Sequence, residues 1–224
     1  MNYHFQWAPV WKAFPDLLPG LIMTLELTLL AFVLGSVIAF VLTWGKSSSN
    51  QFAKGICVSW IEIARNTPCL FQIYMAYFGL GALGVDVNSF YAVLGAITFN
   101  TAGYLAEVIR GGIEGVDPRQ YRAGTALGMN RRQTFVRIIL PQLVPLILPG
   151  AGNQLIWSLL NTSLGMVVGL QELTGATYTA QSLTFRSFEF FIATAIIYYV
   201  LAKLVTLMLY GAARLYGGKR RAQA

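Results

Sequence analysis

Gly115-Val116-Asp117-Pro118-Arg119-Gln120-Tyr121-Arg122-Ala123-Gly124-Thr125-Ala126-Leu127-Gly128, continued by Met129 and a basic run to Gln142, is a polar stretch between segments too apolar to be soluble. Asp117 can cap the first free backbone N–H groups. Pro118 suits a first helical turn, where its missing donor costs nothing, and Gly128 can end the helix in a left-handed conformation. The pattern predicts a short surface helix over 118–127, made to touch another molecule from one side of a bilayer.

Composition places the flanks in that bilayer. Hydrophobic residues make up 56% of the chain and charged residues 11%, and the mean hydropathy is +0.58. That leaves too few polar side chains to cover a water-soluble surface. A spanning helix needs about 20 mostly apolar residues, and about five windows reach that length: 18–44, 56–80, 90–113, 143–169 and 188–209. The N-terminus opens with Asn2, His4, Gln6 and Trp7 rather than a basic head and an apolar run, so the first apolar segment is expected to be retained. No separate soluble domain is expected, and residues 1–224 read as a single transmembrane unit.

The net charge of +7 raises the question of a nucleic-acid partner, and its distribution answers it. Lys46, Lys54, Arg110, Arg119, Arg122, Arg131, Arg132, Arg137, Arg214, Lys219, Arg220 and Arg221 all fall on one side of a five-span arrangement. Lys12 and Arg186 fall on the other. The positive-inside rule then puts the 115–142 loop and the C-terminus in the cytoplasm and the N-terminus outside. Basicity here reports orientation, not nucleic-acid binding.

Along the chain, Arg65-Asn66-Thr67-Pro68 interrupts the second window, where a proline removes a helical hydrogen bond and disfavours helix at the residue before it. Such irregular backbone is tolerated in a membrane where protein or a watery cavity satisfies it. Pro141, Pro145 and Pro149 mark the entry of the fourth window, which holds Asn161, Thr162 and Ser163 in its interior, and residues 171–186 can hold a short outer helix.

Several motifs carry no chemistry. Gly79-x-Gly81-x-x-Gly84 follows a span rather than a strand and reads as a chance match in an outer turn, and no phosphate-binding loop is present. His4 is the sole histidine, so neither a His-based triad nor a metal cluster is expected. Cys57 and Cys69 read as small buried apolar residues, and Gly165 with Gly169 as a close helix-packing pair.

Charges inside spans are more telling, since one at the bilayer centre costs about 2.5 to 3.5 kcal/mol on the insertion scale. Glu62 and Arg65 stand three apart, so mutual pairing and a place on a solute path are balanced readings. Glu107 and Arg110 share that spacing near the inner surface and read as an intra-helix pair. Glu26 and Lys203 sit nearer span ends, where long side chains reach the interface.

Together these residues resemble the membrane-spanning subunits of bacterial ABC importers for polar amino acids, over nearly the whole chain. Arg122-Ala123-Gly124 stands where that family has Glu-Ala-Ala, followed in register by Gly128, Phe135, Ile138, Leu140, Pro141 and Gln142. Arg65-Asn66-Thr67-Pro68 with Gln72 is similar to its R-G-T-P segment, Tyr104 to Ile113 to its third-span ending, and Asn161-Thr162-Ser163-Leu164 to its fourth-span motif. Two departures stand out: Arg122 reverses an acidic charge, and Leu160 occupies a position where relatives often carry lysine.

The resemblance implies an all-α integral membrane protein of the bacterial cytoplasmic (inner) membrane, with a cytoplasmic coupling helix. Pro118, Tyr121, Arg122, Ala123, Gly124, Leu127 and Gly128 would seat in a separate ATPase subunit. ATP and Mg would be bound by that partner, with no cofactor in this chain and no catalytic residue. A second permease subunit, identical or homologous, two ATP-binding subunits and an extracytoplasmic amino-acid-binding protein would complete the assembly. Glu62, Arg65, Thr67, Asn161, Thr162 and Ser163 are the expected substrate-path residues. An ion- or proton-coupled carrier, or a small channel subunit, is the alternative; it gives no reason for the capped helix in the loop.

Overall fold

Helix α1 (Ala8–Lys46) buries Gly20, Thr24, Leu27, Thr28, Ala31, Gly35, Ala39 and Leu42, a single stripe of mostly small residues. The opposite face carries Ile22, Leu29, Val33, Val37 and Val41, all exposed. A helix in water would present polar residues there. Large apolar side chains outward with small ones inward is the arrangement of a helix set in lipid, where close packing replaces the hydrophobic drive between helices. The helix has 39 residues, which at 1.5 Å per residue is about 58 Å, well beyond a hydrocarbon core of about 30 Å. Its first turns therefore extend past the expected span start near residue 18, with Pro15 and Pro19 accommodated inside the helix.

The computed structural model describes residues 3–221, and every regular element among them is helical. Asn2 and the side chains of Lys219, Arg220 and Arg221 lie outside the described part. After α1 come α2 (Gln51–Asn66) and α3 (Cys69–Tyr74), which continues through a π-helical turn, Met75–Gly79, and a last turn, Leu80–Ala82. Next are α4 (Ser89–Glu114), the short α5 (Arg119–Ala126) and α6 (Arg131–Thr134). A π turn, Phe135–Ile139, leads into α7 (Leu140–Asn161), which tightens to a 3-10 helix over Thr162–Val168. Helices α8 (Leu173–Thr184) and α9 (Ser187–Arg221) complete the chain.

Four described runs are long and apolar enough to cross a bilayer: Ala8–Lys46, Ser89–Glu114, Arg131–Val168 and Ser187–Gly211. The second expected window, 56–80, is no continuous rod. Its helix stops at Asn66, Thr67 and Pro68 are extended (ψ 143° and 137°), and the shorter apolar run Cys69–Ala82 follows. Helix α4 is the axis of the bundle, packed along α1 and flanked by α2, α3 and α7. Leu27, Ala31, Ile73, Val93, Ile97 and Val168 fill one end of this core, and Ala39, Leu42, Ile61, Ala102, Leu105 and Ile109 the other.

Caps set the boundaries. Asn50 accepts from Phe52 N and Ala53 N, Asn88 from Tyr91 N, and Asn130 exchanges bonds with Gln133 in a capping box at the start of α6. The G-x-x-x-G reading of the fourth span is corrected in half. Gly165 packs among Leu170 and Val93 as expected, but Gly169 has φ 78° and turns the chain out of the 3-10 helix instead of meeting another helix.

Candidate functional site

The break after Asn66 has a specific chemical consequence. In an unbroken helix the N–H of residue 68 would bond the carbonyl of Ala64, and proline has none to give. Two side-chain amides supply it: Gln72 Nε2 and Asn100 Nδ2 each donate to Ala64 O at 3.0 Å. Gln72 Nε2 also reaches Thr67 O at 3.2 Å and Thr67 Oγ1 at 2.9 Å, so one amide stitches both sides of the break. Asn100 lies on α4, which ties the broken element to the axial helix.

Against this break lies an open cavity of ≈ 610 Å³ between the end of α2, the start of α3, α4 and α7. Arg65, Asn66, Thr67 and Pro68 form one wall, Asn100 and Tyr104 the second, and Asn153, Gln154, Trp157 and Asn161 the third. The Arg65 guanidinium stands 5.7 Å from the Tyr104 ring centroid, a cation–π geometry. Its other neighbour is Glu107 Oε2 at 3.8 Å. That carboxylate is already held by Lys46 Nζ at 2.7 Å and Arg110 Nε at 2.8 Å, while Arg110 also pairs with Glu114 at 2.6 Å. The expected Glu107–Arg110 pair is therefore one part of a network joining the ends of α1, α2 and α4.

Of the expected path residues, Arg65, Thr67 and Asn161 line this cavity and Glu62, Thr162 and Ser163 do not. Glu62 does not pair with Arg65. It is exposed and accepts from Asn66 Nδ2 at 2.9 Å, because α2 ends there and the asparagine folds back on the last turn, while Glu107 on α4 draws Arg65 the other way. Thr162 is fully buried and donates to Leu159 O at 2.7 Å; Ser163 donates to Leu160 O at 2.7 Å. Both hydroxyls serve backbone carbonyls where α7 tightens into the 3-10 helix. Asn100, Asn153, Gln154 and Trp157 were missed by sequence reasoning. Asn153, Trp157 and Asn161 recur at helical spacing, a signal that could have found them. Glu26 is exposed at the bundle surface, and Lys203 Nζ lies 5.4 Å over the Tyr199 ring.

The loop helix α5 is the second feature. Asp117 Oδ1 accepts from Arg119 N at 2.8 Å, which caps its start, and Gly128 with φ 76° ends it. Met129 N bonds Gly124 O at 3.0 Å, closing the C-terminal turn. Gly124 faces inward against Thr134 of α6: a Cβ there would lie 2.5 Å from Thr134 Cγ2. Glycine in place of alanine at this position thus follows from the threonine beside it. Arg119, Tyr121, Arg122 and Leu127 point outward, all exposed.

A fully buried carboxylate outside the expected set, Glu172, caps α8. It accepts from Thr174 N and Gly175 N at 2.9 Å each, from Tyr198 Oη at 2.8 Å and from Thr24 Oγ1 at 3.4 Å. It joins α1, α8 and α9, and a glutamate just before a helix start was its signal in the sequence.

The chain's similarity to known proteins fits this geometry. Residues 31–214 match the family described as binding-protein-dependent transport system inner membrane component. The glutamine transport system permease protein GlnP of Escherichia coli (strain K12) is 32% identical over 207 residues, 92% of this chain and 94% of that protein. The arginine transport system permease protein ArtQ of Bacillus subtilis (strain 168) is 32% identical over 193 residues, 86% of this chain and 88% of that one. A crystal structure of an amino acid ABC transporter with histidines superposes with TM-score 0.88 at 35% identity, covering 95% of this chain and 99% of that one. The chain belongs to the family of inner membrane components of binding-protein-dependent transport systems.

Proposed function

We propose that this chain forms the translocation path for a polar amino acid in an ATP-driven importer, with α5 as the element that receives the ATPase stroke. The observation that carries the reading is the pairing of two devices in one bundle. A polar cavity sits against a broken helix between apolar spans, and a capped, glycine-stopped helix sits in the main polar loop. A channel or ion-coupled carrier would need the first and has no use for the second. In this reading residues 1–224 are one permease domain of about five crossings, the second of them in two pieces, with the N-terminus outside and the C-terminus inside.

Two permease subunits enclose the path, two ATP-binding subunits seat on α5, and an extracytoplasmic binding protein delivers the amino acid. ATP and Mg act only in the partner; no bond is made or broken in this chain. ATP-driven closure of the ATPases draws the two coupling helices together and turns the cavity outward, and hydrolysis resets it. Arg65, Thr67 and Asn161 are the path residues in this account, joined by Asn153 and Trp157. Pro118, Tyr121, Arg122, Ala123, Gly124, Leu127 and Gly128 form the coupling element. Co-purification tests it: Gly128→Asp must leave the protein in the membrane but release the ATPase, and an intact complex would contradict it.

A further inference from the structure

Relatives of near-equal identity are named for glutamine and for arginine, so similarity alone leaves the side chain of the substrate open. The cavity is more selective. Its described lining holds one formal charge, the Arg65 guanidinium, and no carboxylate. Two carboxylates stand just outside the lining: Glu107, engaged by Lys46 and Arg110 at 2.7 and 2.8 Å, and Glu62, which accepts from the lining residue Asn66 at 2.9 Å. Across the network three cations, Lys46, Arg65 and Arg110, meet two carboxylates, Glu107 and Glu114. The unmatched positive charge is the one facing the cavity, since Arg65 sits at 3.8 Å from an acceptor already taken.

The opposite wall offers amides instead of charges. Among the described residues no hydrogen bond or ion pair is formed by the side chains of Asn153 and Asn161, although every other amide of the cavity wall is engaged. Each can donate and accept, as an uncharged polar group requires. A planar guanidinium grips a carboxylate with two parallel bonds, and a buried cation with no counter-charge is costly. From this lining we infer that this chain selects amino acids with an uncharged polar side chain: Arg65 takes the α-carboxylate, the amides of Asn153 and Asn161 serve the ammonium and side chain, a cationic side chain finds no carboxylate in the lining, and an acidic one finds no second cation. The inference rests on the proposed amino-acid path and adds which class of amino acid that path admits.

The test is equilibrium binding to the intact permease–ATPase complex in lipid nanodiscs, without the binding protein, whose own selectivity would mask that of the path. Radiolabelled L-glutamine is displaced by unlabelled glutamine, glutamate or arginine. Glutamine is expected to bind at least about ten-fold more tightly than either charged amino acid. Arg65→Gln loses about ten-fold or more of glutamine affinity and Arg65→Lys recovers part of it, with assembly of every variant verified by gel filtration. Asn161→Asp, which puts a carboxylate in the cavity, shifts the preference toward arginine. Arginine or glutamate competing as well as glutamine, or an unshifted preference in Asn161→Asp, overturns the selectivity while leaving the amino-acid path standing. No binding of glutamine, glutamate or arginine when each is offered in labelled form to the assembled complex overturns both.

Discussion

The side-chain amide of Asn100 donates to the backbone oxygen of Ala64 at 3.0 Å, filling the hydrogen bond that Pro68 cannot make. Gln72 donates to the same oxygen at 3.0 Å. The carbonyl thus has two donors, and loss of one still leaves it bonded. Asn100→Ala and Gln72→Ala are each expected to cost about 1 kcal/mol, whereas the double variant leaves a buried carbonyl orphaned and loses about 1–3 kcal/mol beyond their sum. Thermal unfolding of the detergent-solubilised protein measures this, and simple additivity would contradict it.

Gly124 and Thr134 form a second coupled pair. Gly124→Ala places a methyl 2.5 Å from Thr134 Cγ2 and 2.7 Å from its Oγ1, displacing α5 from α6. Its cost should be about 1–3 kcal/mol, with weaker ATPase co-purification. Thr134→Ala removes both opposing atoms, so the double variant should recover ATPase binding. Failure of that rescue would show that the contact does not set the position of α5.

Glu172 carries four hydrogen bonds in full burial and ties three helices together. Glu172→Ala should therefore lower stability by about 2–4 kcal/mol, from a lost cap and orphaned donors together. Glu172→Gln keeps an acceptor for the α8 N–H groups and should fall between that variant and the native protein. Equal melting temperatures for the two variants would count against the cap as the source of the loss.

Glu107 binds Lys46 from α1 and Arg110 from its own helix, with Arg65 from α2 nearby. Glu107→Gln leaves these partly buried cations without their shared counter-charge, a loss of about 2–3 kcal/mol that rises as salt is lowered. Melting temperature followed against ionic strength tests this. A loss independent of salt would point to packing instead.

The bilayer character, the break at Pro68 and the caps at Asp117 and Gly128 were legible because each rests on local chemistry: hydropathy, a missing N–H and the left-handed freedom of glycine. The cavity was legible only in part. Arg65, Thr67 and Asn161 stood out as polar residues in apolar windows, and the four-residue spacing of Asn153 and Trp157 from Asn161 puts them on the same helix face, but Asn100 joins them only through the way α4 packs against the break, which no local pattern carries. Glu62 misled for the same reason. Its spacing from Arg65 permits a pair, and Glu107, forty-two positions further along the chain on α4, competes for the arginine. Thr162 and Ser163 drew notice for polarity, yet their hydroxyls serve the backbone where the helix changes pitch.

The most direct measurement is uptake of radiolabelled L-glutamine by proteoliposomes holding this chain with its ATPase and binding protein, all ion gradients collapsed. The account predicts accumulation that requires ATP on the α5 side and is abolished by Gly128→Asp. Accumulation without ATP, driven by an imposed proton or sodium gradient, would contradict it.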